Sequence, residues 1–281
     1  MNSDYIATRQ FGDARVSIIL DGTLRWAPQL IAPEAEWRKE MPDADENGTC
    51  SFASCVAHIA VGKASILVDL GFDDPSSSSN WMPPDAERTA GVQAGLASRD
   101  IQPENITHVL ITHVHGDHIA GGAVNRDGVW KPRFPNAQHF IGRADWESNP
   151  DRLIPDSLAA IHLGTIEKAG LLRLIDDETE VAPGVTMIPA PGESPGHSIV
   201  RVRSGGECFY FVGDLFHHGC EVSNPGWVSP GRDRPVMQAS RERFFAEAVP
   251  AGATIAFAHE VFPPWGRIEA AGSGFRWRRD S

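Results

Sequence analysis

Short apolar runs rich in β-branched residues recur along the chain, closed by glycine, proline or acidic residues and separated by stretches with helical spacing. Residues 14–22 predict a strand ending in a turn. Residues 55–61 and 64–70, joined by Gly62-Lys63, read as a hairpin. Residues 105–112 have the apolar, β-branched pattern of a strand covered on both faces. Residues 139–142, 171–175, 185–189, 207–212 and 253–258 supply further strands. Helical spacing puts Val92 and Leu96 on one face, and Ile154, Leu158 and Ile161 on another. A helix over residues 235–248 is expected to bury Met237, Phe244 and Phe245.

Two segments break the pattern. Residues 21–49 are polar, aperiodic and carry Trp26, Trp37 and Pro42, the composition of a lid or a dimer-contact segment. The serine run at residues 76–79 reads as an exposed loop. No linker rich in proline, glycine and serine divides the chain, and strands and helices alternate throughout. Residues 1–281 are therefore expected to form a single layered α/β domain.

Composition narrows the partners. The formal net charge of −12 repels phosphate backbones, so no nucleic acid is expected; Arg276, Arg278 and Arg279 read as a solvated tail. No window of 18 apolar residues predicts a membrane span, and residues 1–5 show no basic stretch before an apolar one, so neither membrane nor secretory leader is expected. Cys50, Cys55, Cys208 and Cys220 form no CxxC and read as reduced thiols of a cytoplasmic protein.

The chemistry concentrates in Thr112-His113-Val114-His115-Gly116-Asp117-His118, directly after a buried strand. In an extended loop His113 and His115 point the same way, and Gly116 allows a turn that brings Asp117 and His118 to a neighbouring point. That arrangement suits two adjacent metal ions. His197, Asp214 and His259 each follow a further apolar run, so all can converge on one sheet edge. His58, His108, His139 and His162 read as structural or exposed.

The HxHxDH element, with the later His197, Asp214 and His259 and with Leu67-Val68-Asp69-Leu70-Gly71 ahead of it, resembles the motif series of the metallo-β-lactamase-fold hydrolases from about Val16 to Trp277. The resemblance implies an αββα sandwich, with His113, His115 and His197 holding one metal, Asp117, His118 and His259 a second, and Asp214 bridging them. Asp69 would then support the metal loop. Imidazole and carboxylate donors suit Zn2+ first, with Mn2+, Fe2+ or Co2+ as alternatives. Two such ions acidify a shared water, so a metal-bridging hydroxide is the expected nucleophile, and Asp117 would orient it or take its proton.

Phe134-Pro-Asn136, Trp146, the Asp214–His218 stretch, Pro225-Gly-Trp227 and Phe275-Arg-Trp277 look most like the branch of N-acyl-homoserine lactonases and methyl parathion hydrolase-like enzymes. The implied reaction on a small-molecule substrate is opening of a lactone or carboxylic ester. A phosphotriesterase, a glyoxalase-II-like thioesterase and a persulfide dioxygenase share the ligands and stand as alternatives, as does a metal-binding protein without activity. Those lactonases carry a tyrosine three residues after the bridging aspartate; here His217 stands there and is the expected hydrogen-bond donor to substrate. Trp26, Trp37, Phe52, Trp81 and Trp227 are candidates for an apolar acyl pocket.

Overall fold

The computed structural model describes residues 5–73 and 81–280. The serine run at residues 76–79 lies outside the described residues. Period-2 alternation sorts the strand side chains into layers. In Ala14–Trp26, Val16 and Ile18 face one way and Ile19 the other; in Ala64–Val68, Ile66 and Val68 oppose Leu67. Glu207–Phe211 repeats this, with Phe209 and Phe211 set against Tyr210. The first member of each division meets its counterparts from a second sheet to form the central core. The others pack beneath helices: Val92 and Leu96 of Gly91–Ala97 cover one sheet, and Phe244 and Phe245 of Arg234–Ala248 cover the other. The result is the αββα sandwich the resemblance implies.

One sheet runs from Ile6–Phe11 through Ala14–Trp26, Cys50–Val61, Ala64–Val68, His108–Ile111 and Gln138–Gly142 to Leu172–Ile175, and Glu87–Arg88 pairs with Ala14–Trp26. The other contains Thr179–Ala182, Val185–Pro189, Ser198–Ser204, Glu207–Phe211, Thr254–Ala256, Trp265–Ala271 and Gly274–Arg279. Ser198 N–H donates to Thr112 O at 2.9 Å and Cys55 N–H to Ala258 O at 3.0 Å, tying the two halves of the sandwich together.

Several expectations need correction. The strand predicted to stop at residue 22 continues to Trp26, because a bulge between Leu20 and Gly22 absorbs the turn residue Asp21 and pairing with Cys50–Val61 resumes beyond it. The supposedly irregular residues 21–49 thus begin as strand, and they include the short helix Glu34–Glu40. Leu24, Leu30, Trp37 and Met41 pack there with Phe52 and Phe72, so the segment has its own apolar anchor. Ile154 does not share a helix face with Leu158 and Ile161: it is 52% exposed, and a π-helical turn at Ala159–Leu163 buries His162 and Leu163 instead. The C-terminal arginines are no tail. They lie on Gly274–Arg279, where Arg276 and Arg278 pair with Glu269 across the ladder, each at 2.8 Å.

The four cysteines are free. Among the described residues no helix is long and apolar enough to cross a membrane.

Candidate metal centre

Strand register delivers the site. Val68 pairs with Leu110 in parallel, so Asp69 and the loop opened by Thr112 leave the first sheet side by side. Phe211 pairs with Ala256 in parallel, so Asp214 and His259 leave the second sheet in the same way. Fully buried Asp69 has φ +64 and uses its carboxylate on the loop. It accepts Thr112 N–H at 2.8 Å, Thr112 Oγ1–H at 2.9 Å and His118 Nδ1–H at 2.8 Å.

His115 is extended and starts the turn Gly116–Ile119. As alternation requires, His113 and His115 meet, with Nε2 and Nδ1 2.7 Å apart. Gly116 itself has a helical role rather than a sharp-turn one. It is needed because the Trp81 ring lies across it, 2.2 Å from where a Cβ would stand.

The ring nitrogens are sorted by their outer partners. A carbonyl only accepts, so His197 Nδ1 donates to Ala190 O at 3.0 Å and His259 Nδ1 donates to Ala53 O at 2.7 Å. Each leaves Nε2 as an acceptor on the cluster side.

Asp214 lies between the donor sets. Its Oδ2 is 3.4 Å from His113 Nε2, while its Oδ1 is 3.3 Å from His118 Nε2 and 3.2 Å from His259 Nε2. Asp117 Oδ2 is 3.5 Å from both His118 Nε2 and His259 Nε2. One donor group comprises His113, His115, Glu193 and Asp214, and another Asp117, His118 and His259, with the ligand atoms of each group within 4.8 Å of one another.

His197, expected in the first group, sits beside it. Its ring centroid is 5.2 Å from that of His113, and its Nε2 accepts Asp214 N–H at 3.1 Å. Glu193 stands in that group without having been expected.

The residues fit a pair of divalent ions. His118 Nε2 and Asp214 Oδ1 are buried with no hydrogen-bond partner, which a protein avoids unless something else satisfies them. Burial pushes His118 down, but Asp214, Asp117 and Asp69 outweigh it and hold the imidazole well above its usual range. Burial pushes Asp214 up, but His259, His118, His113 and His217 together hold it well below the usual carboxylate range. The cluster therefore calls for positive charge, and its imidazole and carboxylate donors suit zinc or its first-row neighbours.

A cavity of about 450 Å³ opens over the cluster, lined in part by Leu24, Trp26, Pro83, Pro84 and His217. His217 Nε2 lies 3.3 Å from Asp214 Oδ2, and its ring is parallel to that of His259 at 5.5 Å. The loop is fixed from behind: Glu221 accepts N–H bonds from His217 and His218 and pairs with buried Arg241. Of the five aromatics expected to form an acyl pocket, only Trp26 lines this cavity. Phe52 stacks beneath Trp26 at 3.8 Å, Trp81 covers Gly116, and Trp37 and Trp227 pack into the neighbouring apolar cluster.

Arg25, Ser229 and Arg232 also line the cavity and were not expected. Their signal in sequence is weak, because they come from a strand end and from the loop before a helix. Glu193 had a better one, as a carboxylate in the turn that carries His197. His58, His139 and His162 are buried in the body of the fold, and His108 bonds to Thr107 Oγ1 at 2.8 Å, away from the cluster.

The profile of the metallo-beta-lactamase superfamily matches residues 52–259. An N-acyl homoserine lactonase of Bacillus cereus is 27% identical over 103 residues, covering 37% of this chain and 35% of the relative. The match thus spans about a third of that relative's length. A probable metallo-hydrolase of Mycobacterium bovis is 25% identical over 175 residues, covering 54% of this chain and 53% of the relative. Among solved structures, AidC, a dizinc quorum-quenching lactonase in complex with a product, superposes with a TM-score of 0.79 at 23% identity, covering 98% of this chain and 97% of AidC. With more than half its length matched by the family profile and the donor series at the expected sheet edge, this chain belongs to the metallo-beta-lactamase superfamily.

Proposed function

We propose that the protein is a dinuclear metal-dependent hydrolase that opens a lactone or carboxylic ester. The observation that carries this reading is the position of Asp214, whose two oxygens face different donor sets at the floor of a cavity of about 450 Å³. His113 and His115 would hold one ion, with His197 joining them once its Nε2 exchanges the Asp214 N–H for the metal. Asp117, His118 and His259 would hold the other, and Asp214 both. Bound there, two divalent ions, Zn2+ foremost, supply an acidified water and polarise a substrate carbonyl.

The chain's own residues do the rest. Asp117, part-exposed at the cavity floor, orients the attacking water and accepts its proton. His217 donates a hydrogen bond to the substrate oxygen from the cavity wall, in the role a tyrosine has in the lactonases. Leu24, Trp26, Pro83 and Pro84 receive the apolar part of the substrate. The lactonase relatives support this substrate class.

Acid release tests the reading without a chromophore, since opening each lactone liberates one proton equivalent. Metal-replete protein given a panel of lactones of differing chain length is expected to release acid, and a chelator is expected to stop it. A protein with two ions bound that releases no acid from any lactone or ester overturns the substrate class.

A further inference from the structure

Glu193 is charged, buried and close to the donors of the first subsite. Its side chain has no solvent exposure, its Oε1 lies 3.5 Å from His115 Nδ1, and its Oε2 lies 4.0 Å from His217 Nε2. Arg232, which also lines the cavity, grips it, Nη2 to Oε1 at 2.5 Å and Nε to Oε2 at 2.8 Å. The backbone fixes this pairing. Asp233 N–H donates to Gly192 O at 3.0 Å, joining the turn that carries Glu193 to the loop that carries Arg232. Gly192 has φ +135, and a Cβ there would stand 2.3 Å from Met237 Cα, so the turn is closed to other residues.

An ion pair alone does not explain the place of this carboxylate. Burying a charge is costly, and the pair with Arg232 does not by itself require the carboxylate to face the histidines. Oε1 lacks a well-directed hydrogen bond and is turned toward His115, and the carboxylate offers an oxygen within 4.8 Å of donor atoms of His113, His115 and Asp214.

We infer that Glu193 is a carboxylate ligand of the first metal subsite, held within reach of it by Arg232. The inference rests on the two-ion reading above and extends it. Arg232 balances the charge of Glu193 while the subsite is empty and limits the negative charge that Glu193 adds when it is filled. An added carboxylate also hardens an imidazole-rich donor set, so Mn2+ gains more from it than Zn2+ does.

The test is metal binding by the metal-free full chain, followed by calorimetry with Zn2+ and Mn2+ and by the visible absorption of Co2+. Wild type is expected to take two ions. Glu193→Gln is expected to keep one unchanged and to bind the other at least about tenfold more weakly, with the larger loss for Mn2+, and to alter the Co2+ spectrum, which reports ligand number. If that variant does not fold, Glu193→Gln combined with Arg232→Met removes both charges together and is expected to give the same loss. Two ions held with wild-type affinity and an unchanged Co2+ spectrum overturn the inference and leave the two-ion reading standing. A wild type that binds fewer than two ions overturns that reading instead.

Discussion

The Asp69 carboxylate accepts a hydrogen bond from Nδ1 of His118 at 2.8 Å, which leaves Nε2 of that ring as the atom facing Asp214. Asp69 does not line the cavity, yet it sets the orientation of a candidate metal donor and, through Thr112, the start of the loop. Asp69→Ala should therefore lower metal affinity by about 10–100-fold, as losses behind a ligand typically do. Metal content after dialysis against a graded chelator reads this directly. Retention equal to wild type would show that the loop holds itself.

Asp117→Asn should cut kcat by roughly 10²–10⁴-fold, the range for loss of a positioned acid–base group, and His115→Ala should abolish turnover. The folded state should persist in both, because Asp117 and His115 lie at the cavity rather than in the core. Turnover at wild-type rate in either variant, with an unchanged circular dichroism melt, would remove the metal assignment.

Glu221 makes a pH-dependent contribution to stability. Burial pushes it up, but Arg241 and His217 outweigh this and hold the carboxyl at about 2, below its ordinary value of 4.5. A depressed folded pKa means that the stabilisation is present above 4.5 and is lost as pH falls toward 2. Glu221→Gln leaves buried Arg241 without its counter-charge and should cost about 3–5 kcal/mol at neutral pH. Urea midpoints measured across the acid range should converge for wild type and variant; parallel curves would refute the linkage.

Asp21 behaves in the opposite sense. Burial raises its carboxyl to about 6 from 3.8, against the lowering effect of N–H bonds from Phe72 and Val92. A raised folded pKa favours the protonated fold, so stability is lost as pH rises from 3.8 through about 6, by an amount on the order of 2–3 kcal/mol. Asp21→Asn should lack this slope, and the difference in unfolding free energy between wild type and variant, plotted against pH, checks it.

Trp26→Ala should raise KM for long acyl chains about 10–100-fold with a smaller change for short ones, since the ring is the large apolar surface of the cavity. Equal effects on short and long chains would place the acyl group elsewhere.

The chain announced its buried strands and its candidate metal donors because both signals are local. Residues 105–112 are apolar and end in a donor-dense loop, and Val185–Pro189 was legible to the residue. The edge strands were less visible. Gly274–Arg279 alternates arginine with aromatic residues and faces solvent, so its charge reads as a tail until Glu269 is found across the ladder. Residues 21–26 were hidden by a bulge, which looks like a turn until pairing is known. Glu193 and Arg232 lie far apart in sequence and meet only through the Gly192–Asp233 backbone bond, a relationship no local pattern encodes.

The donors divide between the two sheets: His113, His115, Asp117 and His118 follow strands of one, while His197, Asp214 and His259 adjoin strands of the other. On the proposed assignment each ion takes ligands from both, so metal occupancy and docking of the halves are one equilibrium seen from two sides. Free metal at about 100 times its dissociation constant would add about 2.7 kcal/mol per site to the docked state. A chelator should then do more than silence the enzyme. It should loosen the seam of the sandwich, and a chain whose halves have not yet closed should hold metal only through the weaker set His113, His115, Asp117 and His118.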